Sequence, residues 1–415
     1  MWYSDRVVKM TQSLLFDSSL DLCAFQAGSP KCGTCGLWEQ CCSPKMPVTG
    51  NGRKGILVIA EAPGKEEDKK NIQLIGNSGQ LLRRSLELCD VDLDEDCWKT
   101  NAIACYSPGK EAKESHMVCC RPLVNQTIRD LQPKVIVLLG KMAVKSVLGQ
   151  EWTRGINAMD RWVGWQIPLQ RLNAWVCPIW HPNVLLHNQH AVLGLLFDRY
   201  LESAVSLQER PWQHPPQWES QIIVETSCWD VTLEKLERAK NEYKGKAVAF
   251  DYETDRLKPD SSDAKILSCA ICFGGQRTIA YPWIPELAEW TSQFLRSDTP
   301  KIGANIKFEE RWTQKVLGHG VKNWVWDTVQ AAHILDNRDG ITSVKFQAFV
   351  RLGLSMWDLA VENYIAGEDS NSPNRLASVS KRQLLQYNGM DALVEYKLAM
   401  LQRKELNETH NKGCL

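Results

Sequence analysis

Two runs of uninterrupted aliphatic residues, Ile56-Leu-Val-Ile-Ala60 and Val135-Ile-Val-Leu-Leu139, set the frame for the first half of this chain. Neither alternates with polar residues, so both faces of each strand must be buried. Strands of that kind belong inside a parallel sheet covered by helices on both sides. The neighbouring segments supply the rest. SGQLLRRSLELC, PLVNQTIRDLQ and KMAVKSVLG read as helices, and WKTNAIAC and AWVCPIWHP as further strands. This alternation predicts an α/β fold whose ligand sites lie at the carboxyl ends of the strands. The loops AEAPG (60–64), TNAIAC (100–105) and WHPN (180–183) are therefore the ones that matter.

The series stops at a seam rich in Pro and Trp, ERPWQHPPQWES, where prolines block helix and strand alike. Beyond it, IIVET, a helix and KAVAFDYET open a second α/β unit. ILSCAICFGG and RTIAYPW read as antiparallel strands, PKIGAN as another strand, and the remainder as mostly helical. The expected organisation is a domain at 1–208, a linker at 209–221 and a domain at 222–415. A length of 415 residues suits two domains.

Charge narrows the function classes. Lys+Arg and Asp+Glu both number 49, which excludes a uniformly basic binder but leaves room for one basic groove. No apolar run approaches a membrane span, and MWYSDRVVKMTQSLLFD lacks the apolar core of a signal peptide. A cytoplasmic protein without membrane contact is expected. Fifteen cysteines in such a chain are buried thiols and metal ligands, not a disulfide framework. Cys32-Gly-Thr-Cys35 is a CxxC pair, and Cys105 and Cys120 form a second, wider pair. On spacing alone, metal ligation and four unligated thiols fit equally well.

The order of motifs says more than any one of them. CxxCxL, GNG, a strand ending in EAPGxEED, GxSGQLL, TNxxxC, CRPL, a strand ending in LG and HPxxLL follow one another over residues 20–200. Together they resemble the iron–sulfur (family 4) uracil-DNA glycosylases. The resemblance implies a [4Fe–4S] cluster on Cys32, Cys35, Cys105 and Cys120, with Cys120 preferred to Cys119 because Arg121-Pro122 follow it. Cys41 and Cys42 are reserves. It implies that Glu61 stabilises a cationic sugar or positions water. His181 then stabilises the departing base, and Asn101 reads a flipped-out base. Ser78, Gly79 and Gln80 open a helix that can take a phosphate. The chain departs from the family where Pro-Phe-Val-Gly is usual. It has Gln73-Leu74-Ile75-Gly76, so Leu74 stands where a Phe would stack on uracil. Glu61 as a helix-capping carboxylate and His181 as a bonded core residue remain the bland alternatives.

In the second half, Asp251 and Glu253 lie two apart on a strand and so share a face. GANIKFEERW, WDTVQAAHILD and YNGMDALVEYKL follow. Over residues 222–405 the set resembles 3′→5′ exonuclease domains of the DEDD class, tyrosine subtype, as attached to DNA polymerase I and found in phage DNA polymerases, some of which carry a glycosylase-like domain ahead of the exonuclease. That implies an RNase H-like fold and two-metal phosphodiester hydrolysis with two Mg²⁺ or Mn²⁺ ions. Asp251, Glu253 and Asp391 would hold metal, and Tyr387 would orient the attacking water. Thr254 and Leu257 would flank the terminal nucleotide, and Asn305 marks the second motif. There Glu309 replaces the usual Asp. Asp327 is expected to be structural. The expected substrate is single-stranded or 3′-frayed DNA, uracil-containing for the front domain, and a separately encoded DNA polymerase is an expected partner. A non-catalytic docking module in front of the exonuclease, or a silent replication scaffold, are the alternatives.

Overall fold

The computed structural model describes residues 30–411, except 110–111, 189, 211–216, 227 and 370. The described residues before 211, with Phe349–Ser355, form one compact unit, and those after 216 form the other. Of the linker expected at 209–221, residues 211–216 lie outside the described residues, as does the N-terminal stretch 1–29.

The first unit is built on five strands: β1 (Ile56–Ala60), β2 (Cys97–Asn101), β3 (Val135–Leu139), β4 (Ile167–Leu169) and β5 (Ala174–Ile179). Their order is β2-β1-β3-β5-β4, all parallel except β4 at the edge. Every residue of β1 and β3 is buried, as their unbroken apolar sequence requires. Leu82 and Leu86 of the helix Asn77–Glu87 and Phe197 and Leu201 of the helix Ala191–Val205 pack on one core with Val58 and Val137. The chain leaves β1 for β2 on one side and later places β3 on the other. The carboxyl ends of β1 and β3 thus flank a crevice where the strand order reverses, the usual ligand position in such sheets. Strand β4 was not foreseen. It has three residues, one of them Pro168, and an edge strand can accommodate a proline. The helix read as starting at Pro122 begins at Glu114 and runs to Leu131, with Pro122 inside it.

The second unit carries β6 (Ile222–Val224), β7 (Val248–Thr254), β8 (Ile266–Phe273), β9 (Arg277–Pro282), β10 (Lys301–Gly303) and β11 (Trp324–Asp327). Their order is β11-β10-β7-β8-β9-β6, with β7, β8 and β9 antiparallel and the flanking pairs parallel. The antiparallel strands and β10 match the expectation. Strand β11 was missed inside the stretch read as helical, because its four half-buried residues show no alternation. A core of Phe250, Tyr252, Phe273 and Trp312 fills one side. Phe250 stacks on Trp324 at 5.2 Å, and Trp290 on Phe294 at 5.0 Å. The 31-residue helix Lys381–Asn411 crosses the sheet over β6 to β10. It carries Tyr387, Asp391 and Glu395 at four-residue intervals, so all three share one stripe. That stripe faces the acids of β7. The two-sheet α/β architecture expected from the sequence is therefore present.

Candidate functional site

The thiols come first in the chain. Cys32–Cys35 is a single helical turn, and the Lys31 N–H just before it donates to the Cys119 carbonyl at 3.1 Å. That bond pins the N-terminal loop to the helix Glu114–Leu131. Cys32, Cys35, Cys105, Cys119 and Cys120 line one enclosed space. The four expected ligands are thus together, with Cys119 beside them. Burial pushes the Cys120 thiol up to about 11 and raises that of Cys35. Cys41 is pushed up to about 12, first by burial and then by its neighbour Cys105. The Lys45 N–H donates to Cys105 Sγ at 3.3 Å. Cys42 is exposed, and its backbone N–H is bonded to Asp68. Sulfurs on one tetrahedral zinc would lie about 3.8 Å apart. Among the described residues, no three cysteines bring sulfurs within 4.8 Å of one another.

At the carboxyl ends of β1 and β2 lies a cleft of about 660 Å³ lined by Leu74, Ser78, Asn101 and His181, among others. Glu61 follows β1 directly, and its Oε1 accepts the Met142 N–H at 3.0 Å at the start of the helix Lys141–Val147. It thus caps a helix while standing beside His181. Gly140 makes this possible. At φ +86° it holds a left-handed conformation, and a Cβ there would lie 2.7 Å from Glu61 Oε1 and 3.0 Å from His181 Cβ. The His181 Nδ1 accepts the Asn183 N–H at 3.2 Å. A neutral ring therefore carries its proton on Nε2 and is a donor there. Burial lowers the His181 pKa, with Glu61 opposing, and favours that neutral form.

Asn101 ends β2 and is buried. Its Nδ2 donates to Gln73 Oε1, and Gln73 Nε2 donates to the Pro47 carbonyl at 3.2 Å. A carbonyl only accepts, so it fixes the Gln73 amide and, through it, the Asn101 amide. Gln73 was noted in the sequence only as a departure; this role was not legible there. Leu74 next to it sits at φ +54°, an unusual value for a branched residue. Glu67 Oε1 accepts the N–H groups of Ile75 (3.0 Å) and Gly76 (2.7 Å) and pins the loop. A Cβ at Gly79 would lie 1.9 Å from the Leu74 carbonyl oxygen, so only glycine fits. Gln80 turns back to the Ile75 carbonyl at 3.2 Å and does not line the cleft.

In the second unit, Asp251, Glu253 and Asp391 offer carboxylate oxygens within 4.8 Å of one another. Asn388 holds the first of them, donating to Asp251 Oδ2 at 2.7 Å and to its carbonyl at 3.1 Å. Burial pushes Asp251 and Glu253 well above the usual carboxyl range, and the neighbouring acids push further. Glu309 lies in the first turn of the helix Lys307–Leu317 and is only 2 % exposed. Its Oε2 has no hydrogen-bond partner among the described residues, and burial, then Asp251, raise its pKa. Glu310 turns away to the Val321 N–H and the Trp324 indole. Asp327 caps the helix Thr328–Leu335 and accepts the N–H groups of Asn305 and Ile306 at 3.0 Å. It is the structural acid expected, and it sets the turn at Asn305. The Thr254 hydroxyl is buried and donates to the Arg256 carbonyl, whereas Leu257 is 61 % exposed.

Four members of this cluster were not foreseen. Lys345 Nζ donates to Asp391 Oδ1 (2.9 Å) and Oδ2 (3.0 Å) and to the Tyr387 hydroxyl (2.9 Å). Burial works against that ammonium, yet Asp391 outweighs it and holds its pKa above the ordinary value. The Trp357 indole donates to Asp391 Oδ1 at 2.8 Å. Asn388 is the third. Glu395, one turn beyond Asp391, is 2 % exposed, and its Oε2 has no partner among the described residues. Burial first, then Asp251, Glu309 and Asp391, push its pKa well up. The four-residue spacing Tyr387, Asp391, Glu395 was the signal for Glu395. No role was read in the sequence for Lys345 or Trp357.

Residues 47–205 match the model of the uracil DNA glycosylase superfamily, and residues 229–407 match that of a 3′-5′ exonuclease domain. A type-4 uracil-DNA glycosylase of Thermotoga maritima is 30 % identical over 164 residues, which are 38 % of this chain and 79 % of that protein. One of Sulfurisphaera tokodaii is 28 % identical over 162 residues, 38 % of this chain and 72 % of the relative. Among solved structures, Brucella melitensis NrnC with bound Mg²⁺ is similar at 17 % identity and a TM-score of 0.32, covering 41 % of this chain and 78 % of that one. Escherichia coli RNase D is similar at 14 % identity and a TM-score of 0.34, covering 46 % of each chain. No helix among the described residues is long and apolar enough to cross a membrane. The chain belongs to the type-4 uracil-DNA glycosylases through its first unit, and it joins that domain to a 3′–5′ exonuclease domain in its second.

Proposed function

We propose that this protein removes nucleotides from the 3′ end of DNA at the carboxylate cluster of its second unit. The first unit would engage uracil-containing DNA through a cluster-stabilised fold. The observation that carries the reading is the convergence of Asp251, Glu253 and Asp391 with Tyr387 one turn away. Three acids this close repel unless cations join them, and Asp251, Glu253, Asp391 and Glu309 would hold two Mg²⁺ or Mn²⁺ ions. Such ions lower the pKa of a water and stabilise the entering and leaving oxygens of an in-line displacement. Tyr387 would orient that water. Leu257, exposed beyond β7, would meet the terminal nucleotide with Thr254 behind it. The substrate would be single-stranded or frayed DNA, with a separately encoded polymerase as a partner.

In the first unit, Cys32, Cys35, Cys105 and Cys120 would hold a [4Fe–4S] cluster, and the gathering of these four thiols around one space supports the reading. Glu61 would stabilise positive charge on the sugar, and the His181 Nε2–H would donate to the departing uracil oxygen. Asn101, its amide fixed by Gln73, would read the base edge. Leu74 gives apolar contact without ring stacking, which forgoes about 1–3 kcal/mol.

Purified without air, the protein should be brown and contain iron and sulfide. Cys35→Ala should bleach it and reduce the soluble yield, because ligand binding is folding energy here. Colourless protein with one zinc per chain rejects the cluster.

Uracil release from a labelled strand checks the cleft. Leu74→Phe should raise the rate about tenfold, and His181→Ala should lower it by about 10² or more. Uracil left intact by both wild type and Leu74→Phe would assign the first unit to DNA docking instead.

The exonuclease is tested with 3′-blocked and unblocked strands. Mononucleotide release should need a free 3′ end and Mg²⁺ or Mn²⁺. Asp251→Ala should abolish it while leaving the iron–sulfur absorbance unchanged. Glu309→Asp should keep or raise activity. Cleavage that ignores the block, or persists in EDTA, contradicts the assignment.

The buried acids also set a pH dependence. Asp251, Glu253, Glu309 and Glu395 have folded-state pKa values above their unfolded ones. The stability this gives is complete below the unfolded carboxyl range, about pH 4, and is lost as pH rises through the raised values. In EDTA, the second unit should melt lower at pH 8 than at pH 5.5. Glu395→Gln should narrow that gap and raise the pH 8 melting temperature by a few degrees, equivalent to about 1–2 kcal/mol. An unchanged pH 8 melting curve for Glu395→Gln would remove the buried-acid account.

A further inference from the structure

Lys345 reaches the carboxylate cluster from the helix Val344–Leu352. It binds Asp391 through both oxygens, at 2.9 and 3.0 Å, and the Tyr387 hydroxyl at 2.9 Å. Asp391 Oδ1 also accepts the Trp357 indole N–H at 2.8 Å. The ammonium lies 4.8 Å from the centre of the Tyr387 ring and 5.2 Å from that of Trp357. Both distances are within cation–π range. Two rings, a hydroxyl and a carboxylate thus form a built socket for one positive charge.

The socket overlaps the site the acids offer to metal. A carboxylate ligand of Mg²⁺ stands about 2.0–2.1 Å from the ion and gives it a lone pair. On Asp391 three of the roughly four lone-pair positions are engaged by Lys345 and Trp357, both of those on Oδ1 among them. A divalent ion on the same carboxylate would also face the ammonium at close range, and like charges repel. We propose that the Lys345 ammonium is an internal stand-in for a divalent cation, which holds the metal-free cage together and must leave Asp391 before that carboxylate can ligate metal. Lys345 therefore sets the affinity of the exonuclease site for divalent ions. Tyr387 and Trp357 keep the displaced ammonium beside the site. Lysine suits the task because its charge is compact and its stem flexible; an arginine fork would grip Asp391 more firmly.

This inference rests on the two-metal reading of the second unit, and the test separates the two. Mn²⁺ binding to the full chain, stripped of divalent ions and without DNA, is measured at pH 7.5 from the electron paramagnetic resonance signal of free Mn²⁺. Lys345→Met should bind Mn²⁺ at least tenfold more tightly than wild type, and Lys345→Arg more weakly. Asp251→Asn should lose at least tenfold in affinity. If Lys345→Met binds no more tightly than wild type while Asp251→Asn weakens binding, the stand-in role is wrong and the metal reading survives. If wild type binds no Mn²⁺, or Asp251→Asn binds as wild type does, both fall together. Should Lys345→Met fail to fold, Lys345→Gln takes its place, and unchanged or weaker binding there overturns the proposal equally.

Discussion

Negative charge out of water has to be neutralised, by a proton or by a cation. Much of the second unit is arranged around that requirement. Strand β7 brings Asp251 and Glu253 to one face, and the helix Lys381–Asn411 lays Tyr387, Asp391 and Glu395 across it. The helix Lys307–Leu317 adds Glu309. Burial and mutual repulsion both favour the protonated forms of Asp251, Glu253, Glu309 and Glu395. Lys345 and the Asn388 amide offset part of the cost at Asp391 and Asp251. The partnerless oxygens of Glu309 and Glu395 are where none of it is offset.

The first unit meets the mirror problem. Burial raises the pKa values of Cys120 and Cys35 and so favours their neutral thiols. Positive charge from a bound metal would make them thiolates. Chain geometry gathers them: a one-turn helix at Cys32–Cys35, tied by Lys31 to the Cys119 carbonyl, and a backbone N–H from Lys45 on the Cys105 sulfur. The cleft obeys a different rule. Its polar groups are bonded in advance, Asn101 through Gln73 and His181 through the Asn183 amide. Such groups present a fixed donor and acceptor pattern and lose little entropy on meeting a base.

Much of this was legible in the sequence. The aliphatic runs of β1 and β3 declare a buried parallel sheet because no other placement hides both faces. Asp251 and Glu253 declare a shared face because strand periodicity leaves no choice. The candidate ligand positions needed motif order as well, since a cysteine pair or a DxE pair alone is ambiguous. What stayed hidden depends on contacts made across long sequence separations. Lys345 meets Asp391 forty-six residues away, and Asn388 meets Asp251 across 137. Gln73 reaches Asn101 across 28. No local periodicity encodes such meetings. Strands β4 and β11 escaped for the opposite reason: they are too short for a period to show.

The two places where the chain departs from its families differ in how they are resolved. At Gln73-Leu74 the new polar group is fully bonded, and the strained Leu74 backbone is held by Glu67 and by the absence of a side chain at Gly79. The protein has absorbed that change internally, so the cleft needs no ligand to be stable. At Glu309 the extra methylene carries a carboxylate oxygen into a place with no donor. Glu395 adds a second such oxygen on the facing helix. Two buried carboxylate oxygens without a partner among the described residues, beside an acidic triad, favour either a proton or a cation there. The polar groups around Gln73 and Leu74 find their partners within the chain, whereas one oxygen of Glu309 and one of Glu395 find none among the described residues.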